Sequence, residues 1–122
     1  MDFKDYQIKA HGVALYLDKI IKKYPNLPEG ILKVLALNYA SNGLGEVGEV
    51  QGKIKKIFRD AGGDFEPDRI KEIGKEIGDV LWYVAEVCTV LGLDMGEVAE
   101  QNIKKLYDRK DRGVLTGNGD NR

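Results

Sequence analysis

Two copies of one five-residue pattern, EVGEV at 46–50 and EIGDV at 76–80, constrain the fold of this chain most strongly. Both lie in segments where an apolar residue recurs every three or four positions, which is typical of an amphipathic α-helix. Positions three and four apart share a helix face, so each copy places two carboxylates side by side. A glycine inside a helix costs about 1 kcal/mol relative to alanine, so its presence in both copies needs a reason.

Apolar spacing and helix-breaking residues divide the chain into four predicted helical segments. Their approximate bounds are 3–23, 31–58, 66–91 and 94–109. Within the second segment, Ser41-Asn42-Gly43 predicts a kink or a break. Asp94 and Glu97 have the spacing of a helix N-cap with a reciprocal acid three residues later. Because no stretch alternates apolar and polar residues as a strand does, the predicted fold is an all-α four-helix bundle.

Length and charge limit the class of protein. A chain of 122 residues suits one domain, here a helical domain over 1–112 followed by a glycine-rich tail over 113–122. With 19 basic and 20 acidic residues, bulk electrostatic binding to nucleic acid or to an anionic membrane is disfavoured. No apolar run has membrane-spanning length. The single cysteine, Cys88, lies among apolar residues, so we expect a buried thiol and a cytoplasmic protein.

The two acidic pairs predict a metal site at the rim of the helical core. The pairs are Glu46 with Glu49, and Glu76 with Asp79. They border the predicted core side of the third segment, which consists of Ile73, Ile77, Val80, Val84 and Leu91. Four carboxylates gathered between two helices would repel one another without a cation, and oxygen ligands suit Mg²⁺ or Mn²⁺. Gly48 and Gly78 carry no side chain and would let the two backbones approach closely.

Each acidic pair taken alone has a simpler interpretation. Glu-x-x-Glu on a helix is common and usually belongs to a solvated face. Two pairs with the same central glycine are more specific than one. A di-iron bundle also uses helix carboxylates but needs Glu-x-x-His twice, whereas this chain has one histidine, His11, in the first segment. A magnesium site is therefore favoured over an iron site.

The paired motifs resemble those of the MazG-type all-α nucleoside triphosphate pyrophosphohydrolases. The family pattern is Glu-x-x-Glu on one helix and Glu-x-x-Asp on the next, here EVGE at 46–49 and EIGD at 76–79. The similarity to small single-domain members extends over GLGEVGEVQGKIKKIFRD (43–60), KEIGDVLWYVAEV (75–87) and EVAEQNIKKLYDRKDRGVLTGNGDNR (97–122). Residues 25–42 depart from the shorter connection expected in the family, and we expect them to border the lip of the site.

This resemblance implies hydrolysis of a nucleoside triphosphate between its α and β phosphates, giving a nucleoside monophosphate and pyrophosphate. Such a reaction would clear non-standard or excess nucleotides. The resemblance implies that the four acids bind Mg²⁺ or Mn²⁺, which offsets the charge of the triphosphate. The attacking water would be bound by the metal or oriented by one of these carboxylates or by Glu72.

Cationic, amide and aromatic side chains are candidate substrate contacts. Lys53 lies one helical turn beyond the first acidic pair and is the best placed cation. Asn102, Lys105 and Arg109 share a face of the fourth segment, and the resemblance supports the first two as substrate contacts. For the two cations of this face, the alternative is an exposed charged surface. Trp82 could stack on a nucleobase, although packing in a helical core is the more common role for such a tryptophan.

Two other functions stay open from the sequence. One is a non-catalytic helical interaction module, and the other is a related metal-dependent phosphohydrolase that acts on other phosphoanhydrides, such as diphosphates. The chain is small and carries apolar residues on more than one side of its second and third segments, so we expect an oligomer to complete the core. The resemblance suggests a homodimer or a pair of dimers, with sites near the subunit interface.

Overall fold

The computed structural model describes residues 1–121; Arg122, the last residue of the predicted tail, lies outside the described residues. Six α-helices and one 3₁₀ turn form the regular structure of this range. They are α1 (Phe3–Gly12), α2 (Tyr16–Lys23), α3 (Glu29–Gly43), the 3₁₀ turn (Leu44–Glu46), α4 (Val47–Ala61), α5 (Pro67–Leu91) and α6 (Met95–Asp111). The described chain contains no strand, so the predicted all-α fold is confirmed.

Two of the four predicted segments are each divided in the structure. The first separates into α1 and α2 because the backbone leaves the helical conformation at Val13. The second is divided by the 3₁₀ turn, directly after the predicted break. There Ser41 Oγ donates to the carbonyl of Asn38 at 3.2 Å, a bond of the kind that competes with helical hydrogen bonding. The predicted cap is present, since Asp94 accepts from the N–H groups of Gly96 and Glu97.

Helix α5 is the central element of the fold. The helices α1, α3 and α4 and the 3₁₀ turn pack against it, whereas α2 packs on α3 and α6 packs on α1. Its buried residues are Ala85, Glu86 and Cys88, so the buried thiol is confirmed. Ile77 and Leu91, both predicted core residues, are exposed in this chain, Ile77 to 53%. The apolar face predicted on this helix is therefore real but only partly covered by its own chain.

A buried carboxylate joins α1, α2 and α5. Glu86 is 0% exposed, and its Oε2 accepts a hydrogen bond from the Tyr16 hydroxyl at 2.8 Å and lies 3.1 Å from His11 Nδ1. Its Oε1 has no hydrogen-bond partner among the described residues. Burial and the bond to Glu86 raise the pKa of Tyr16. Because leaving a buried carboxylate without donors is costly, these contacts hold the two N-terminal helices on α5.

The ring of Tyr83 determines how closely α3 and the 3₁₀ turn approach α5. A Cβ atom at Gly43 would overlap this ring, so a side chain at that position is excluded by the packing. A Cβ at Gly48 or Gly78 would meet no atom within 4 Å. The expectation that the two central glycines allow a close approach of backbones is therefore wrong within one chain. The glycine that the packing requires is Gly43, three residues before Glu46.

Replacing Tyr16 with phenylalanine is expected to lower the free energy of unfolding by about 1–3 kcal/mol at neutral pH, because a buried acceptor on Glu86 loses its donor. The wild-type protein should also lose stability as the pH rises above 10.0. The pKa of Tyr16 is raised in the folded state, so the unfolded chain releases this proton first and is favoured at alkaline pH. The Tyr16→Phe protein should lack the part of the stability loss at alkaline pH that comes from the ionisation of Tyr16.

Chemical denaturation across neutral and alkaline pH measures both effects of the Tyr16 substitution. Tyr24→Phe is the matched control, since Tyr24 is exposed at the end of α2. Equal stability of the Tyr16→Phe and wild-type proteins would contradict the role given to the hydrogen bond.

Gly43→Ala and Gly45→Ala form a second matched pair. The first substitution should destabilise the protein by about 1–3 kcal/mol, because the added methyl group overlaps the Tyr83 ring and forces α3 away from α5. The second should be neutral or stabilise by up to about 1 kcal/mol, because Gly45 has open space beside it and alanine restricts the unfolded chain. Thermal unfolding of both proteins measures the difference, and equal effects would show that the ring contact is unimportant.

Candidate functional site

The four predicted acids lie along the seam between α5 and the segment formed by the 3₁₀ turn and α4. Glu46 ends the 3₁₀ turn, and Glu49 lies in the first turn of α4. Glu76 and Asp79 are three residues apart on α5 and therefore share a face. Both the 3₁₀ turn and α4 pack against α5. The two acidic pairs thus belong to elements that are neighbours in the fold.

Lys53 on α4 bridges across this seam to two acids of α5. Its Nζ lies 3.4 Å from Glu76 Oε1 and 3.6 Å from Glu72 Oε2. Glu72 also accepts a hydrogen bond from Lys75 at 2.6 Å, and its pKa is lowered chiefly by that lysine and further by Lys53. We call the carboxylates along this seam, Glu46, Glu49, Glu72, Glu76 and Asp79, the acidic row. The lysine predicted to contact substrate therefore offsets negative charge at the end of this row that contains Glu72 and Glu76.

The other end of the acidic row lies beside Tyr83. Burial raises the pKa of Tyr83 most, Tyr39 adds to this, and the negative charges of Glu46 and Asp79 raise it further. Asp79 also raises the pKa of Tyr6 on α1, where burial is again the larger cause. Glu46 of the 3₁₀ turn and Asp79 of α5 are therefore both close enough to Tyr83 to raise its pKa.

The donor set of this seam is of the type that a hard divalent cation takes. All four side chains offer carboxylate oxygens, and Glu49 and Asp79 are exposed while Glu46 and Glu76 are partly exposed. An ion could therefore reach them from solvent. Within residues 1–121, no three His, Cys, Asp or Glu side chains are placed to hold one metal ion together. The four-acid metal site accordingly stays a prediction.

The predicted substrate contacts on α6 are not brought to the acids within one chain. Helix α6 packs mainly against α1, and Asn102 and Lys105 are exposed on it. Arg109 is only 4% exposed, and its Nη2 donates to the carbonyl of Asp120 at 2.7 Å. The alternative of an exposed charged face is therefore wrong for Arg109, which fastens the C-terminal tail to α6. The contact between Arg109 and Asp120 could not be predicted from the sequence, because no local pattern pairs positions 109 and 120.

Trp82 takes the packing role weighed for it. Its Nε1–H donates to the carbonyl of Ala10 at 3.1 Å, and the indole packs against the buried cluster that contains Ala85 and Cys88. The aromatic residue beside the acids is its neighbour Tyr83, whose ring centroid lies 6.4 Å from that of Tyr39. Sequence reasoning placed Tyr83 just after Asp79 but missed Tyr39. Tyr39 precedes Glu46 by seven residues, about two helical turns, and this spacing was the available indication.

Comparison with known proteins agrees with the paired acidic motifs. Residues 36–114 match the MazG nucleotide pyrophosphohydrolase domain, and this range contains both acidic pairs. The chain is 45% identical over 118 residues to the Gene 37 protein of Mycobacterium phage L5, which covers 96% of each protein. No solved structure matches the chain. None of the helices within residues 1–121 is both long and apolar enough to span a lipid bilayer. With more than half of its length matched, the chain belongs to the family of MazG nucleotide pyrophosphohydrolase domains, which are hydrolases.

Proposed function

We propose that this protein is a Mg²⁺-dependent nucleoside triphosphate pyrophosphohydrolase. It would cleave the bond between the α and β phosphates, release a nucleoside monophosphate and pyrophosphate, and so remove non-standard or excess nucleotides. The observation that carries the proposal is the position of the two acidic pairs, which lie within the matched domain on elements that pack against each other.

The side chains that would hold the metal are Glu46, Glu49, Glu76 and Asp79. Members of the family generally depend on a divalent metal, and these oxygen donors suit Mg²⁺, with Mn²⁺ as the alternative. When bound, the metal offsets the charge of the triphosphate and polarises the phosphorus under attack. Without this compensation a polyanionic substrate would be repelled by the acidic row.

Lys53 and Glu72 have separate roles in this proposal. The Lys53 ammonium pairs with Glu72 and Glu76 at 3.6 and 3.4 Å, and such partly exposed ion pairs contribute only about 0–1 kcal/mol each. The lysine can therefore turn from these acids to a substrate phosphate at little cost. A carboxylate of Glu72 or of one of the four acids would orient the attacking water and accept its proton.

A second group of cations would bind the departing phosphates. A cavity of about 250 Å³ between α4 and α5 is lined by Lys53, Lys56, Ile57, Asp68, Arg69 and Glu72. It lies beyond Glu76, at the end of the acidic row opposite Tyr83. Its three cations are suited to the β and γ phosphates, which leave together as pyrophosphate.

We also propose that the active protein is a homodimer or homotetramer. Ile103, Leu106 and Tyr107 share one face of α6, and all three are exposed. Ile77 and Phe58 are exposed on α5 and α4 as well. A second copy of the chain would cover these surfaces, and its α6 could bring Asn102 and Lys105 to the acids that they do not approach within one chain.

Glu49→Gln and Asp79→Asn are each expected to lower kcat/KM for triphosphate hydrolysis by about a hundredfold or more, because each removes a charged ligand of the metal. Pyrophosphate release from a panel of nucleoside triphosphates, with and without Mg²⁺, measures the effect. Glu100→Gln is the matched control, since Glu100 is exposed on α6 and pairs only with Lys104 in the described chain, at 2.9 Å.

Two outcomes would refute the proposed activity. If the wild-type protein released no pyrophosphate from any nucleoside triphosphate, with or without Mg²⁺, the acids would be surface residues of a non-catalytic interaction module. If the products were a nucleoside monophosphate and orthophosphate from a diphosphate substrate, the protein would be a different phosphohydrolase.

Light scattering of the wild-type protein should give a mass of two or four times 13.6 kDa. Ile103→Glu should shift the population toward the monomer, because it places a charge on the apolar face of α6 that a second copy would bury. Gln101→Glu is the control, since Gln101 lies on the opposite side of the same helix. A wild-type protein that is monomeric at all concentrations would argue against an intersubunit site.

A further inference from the structure

A cavity beside Tyr83 lies at the end of the acidic row and has no role in the metal chemistry. Its volume is about 480 Å³. The lining residues that matter here are Tyr24, Asn38, Tyr39, Asn42, Gly43 and Tyr83. Asn38, Tyr39, Asn42 and Gly43 come from α3. Glu46 follows Gly43 within one helical turn, so the cavity opens directly beside the first acid.

The cavity is neutral, which distinguishes it from the rest of the seam. None of the described side chains that line it carries a charge. A triphosphate would find no cation here. The cavity beyond Glu76 has three cations, Lys53, Lys56 and Arg69, against two acids, Asp68 and Glu72, so its lining is positive in sum. A neutral and partly aromatic group is therefore favoured in this cavity, and phosphates are favoured at the other end.

The aromatic wall of the cavity is held rigidly. The ring of Tyr39 stacks on that of Tyr16, with centroids 4.7 Å apart and planes inclined by 16°. Tyr16 is fixed in turn by its hydrogen bond to buried Glu86 at 2.8 Å. Tyr39 nevertheless remains 47% exposed. A planar heterocycle could therefore stack on a ring that is already ordered, so little conformational entropy is lost on binding.

Two amides stand on the α3 side of the cavity and retain hydrogen-bonding capacity. Asn42 Nδ2 donates to Asn38 Oδ1 at 2.8 Å, so each amide orients the other. After this bond, Asn42 still offers its carbonyl oxygen and Asn38 still offers both of its N–H groups. A donor and an acceptor side by side are the complement of the hydrogen-bonding edge of a nucleobase.

We propose that this cavity binds the nucleobase of the substrate, with Tyr39 as the stacking surface and Asn38 and Asn42 as the residues that read the base edge. The proposal rests on the proposed function, which supplies a nucleoside triphosphate. Along α5, Tyr83 and Glu72 are eleven residues apart, about 16 Å at the rise of an α-helix. That distance is comparable to the span from the base to the terminal phosphate of an extended nucleotide.

Binding is tested directly by titrating the full-length protein with uncharged nucleosides in the absence of metal, because nucleosides are not repelled by the acidic row. The side-chain amide resonances of Asn38 and Asn42 are expected to shift with the nucleoside, and ribose, which has no base, should leave them unchanged. Equal shifts with ribose, or no shift with any nucleoside, would overturn the proposal. This measurement does not require hydrolysis, so the two proposals can fail separately. Absence of pyrophosphohydrolase activity would refute the proposed function, whereas the chemical shifts alone decide whether the cavity binds a base.

Base selectivity provides the second test. The ratio of kcat/KM between the best and the poorest base should fall about tenfold in Asn38→Ala and in Asn42→Ala, the loss expected for one hydrogen bond. Tyr39→Ala should raise KM about tenfold for every base, and Tyr39→Phe should restore it because stacking needs only the ring. Gln51→Ala, an exposed amide on α4, is the control. An active enzyme whose base ratio is unchanged in both asparagine variants would overturn the assignment of the amides.

Discussion

The packing of the Tyr83 ring on the backbone of Gly43 positions the first acidic pair. Gly43 ends α3, and Glu46 follows within one turn, so a side chain at position 43 would push the 3₁₀ turn away from α5. Asp79 lies one turn before Tyr83 on α5 and shares its face. The glycine that brings acids of the two elements together is therefore outside the repeated pentad, and it acts through a tyrosine from the opposing helix.

Negative charge along the seam is compensated unevenly. Lys53 lies 3.4 Å from Glu76 and 3.6 Å from Glu72, so one end of the row has an internal counterion. In the part of the chain that the structure describes, no ion pair involves Glu46, Glu49 or Asp79. Their charge is instead felt by tyrosines, as the raised pKa of Tyr83 shows for Glu46 and Asp79. A divalent cation would therefore relieve the most repulsion at the Tyr83 end, next to the neutral cavity.

Local patterns were sufficient to predict four helical segments and the break near Gly43, because helix periodicity and capping depend on near neighbours. They did not predict the division of the first segment into α1 and α2. The caps at Asp94 and Gly92 and the division after Gly43 followed from residues a few positions apart. Contacts between distant positions could not be predicted in this way. The burial of Glu86 depends on Tyr16, seventy residues away, and that of Arg109 on the folded-back tail. Periodicity also placed Ile77 on the core face of its helix, without showing whether its own chain or another covers it.

The distribution of charge along α5 implies one direction for a bound nucleotide. Asn42 and Tyr83 border a neutral cavity at one end, and Lys56 and Arg69 border a cationic cavity at the other. In the reverse orientation, the phosphates would face amides and tyrosines without a counterion, and the uncharged base would displace water from the cations without replacing its hydrogen bonds. Both changes are unfavourable. In the proposed orientation the α-phosphorus would lie nearest Asp79 and Glu46, so the bond proposed to be cleaved would be presented to acids that lack an internal counterion.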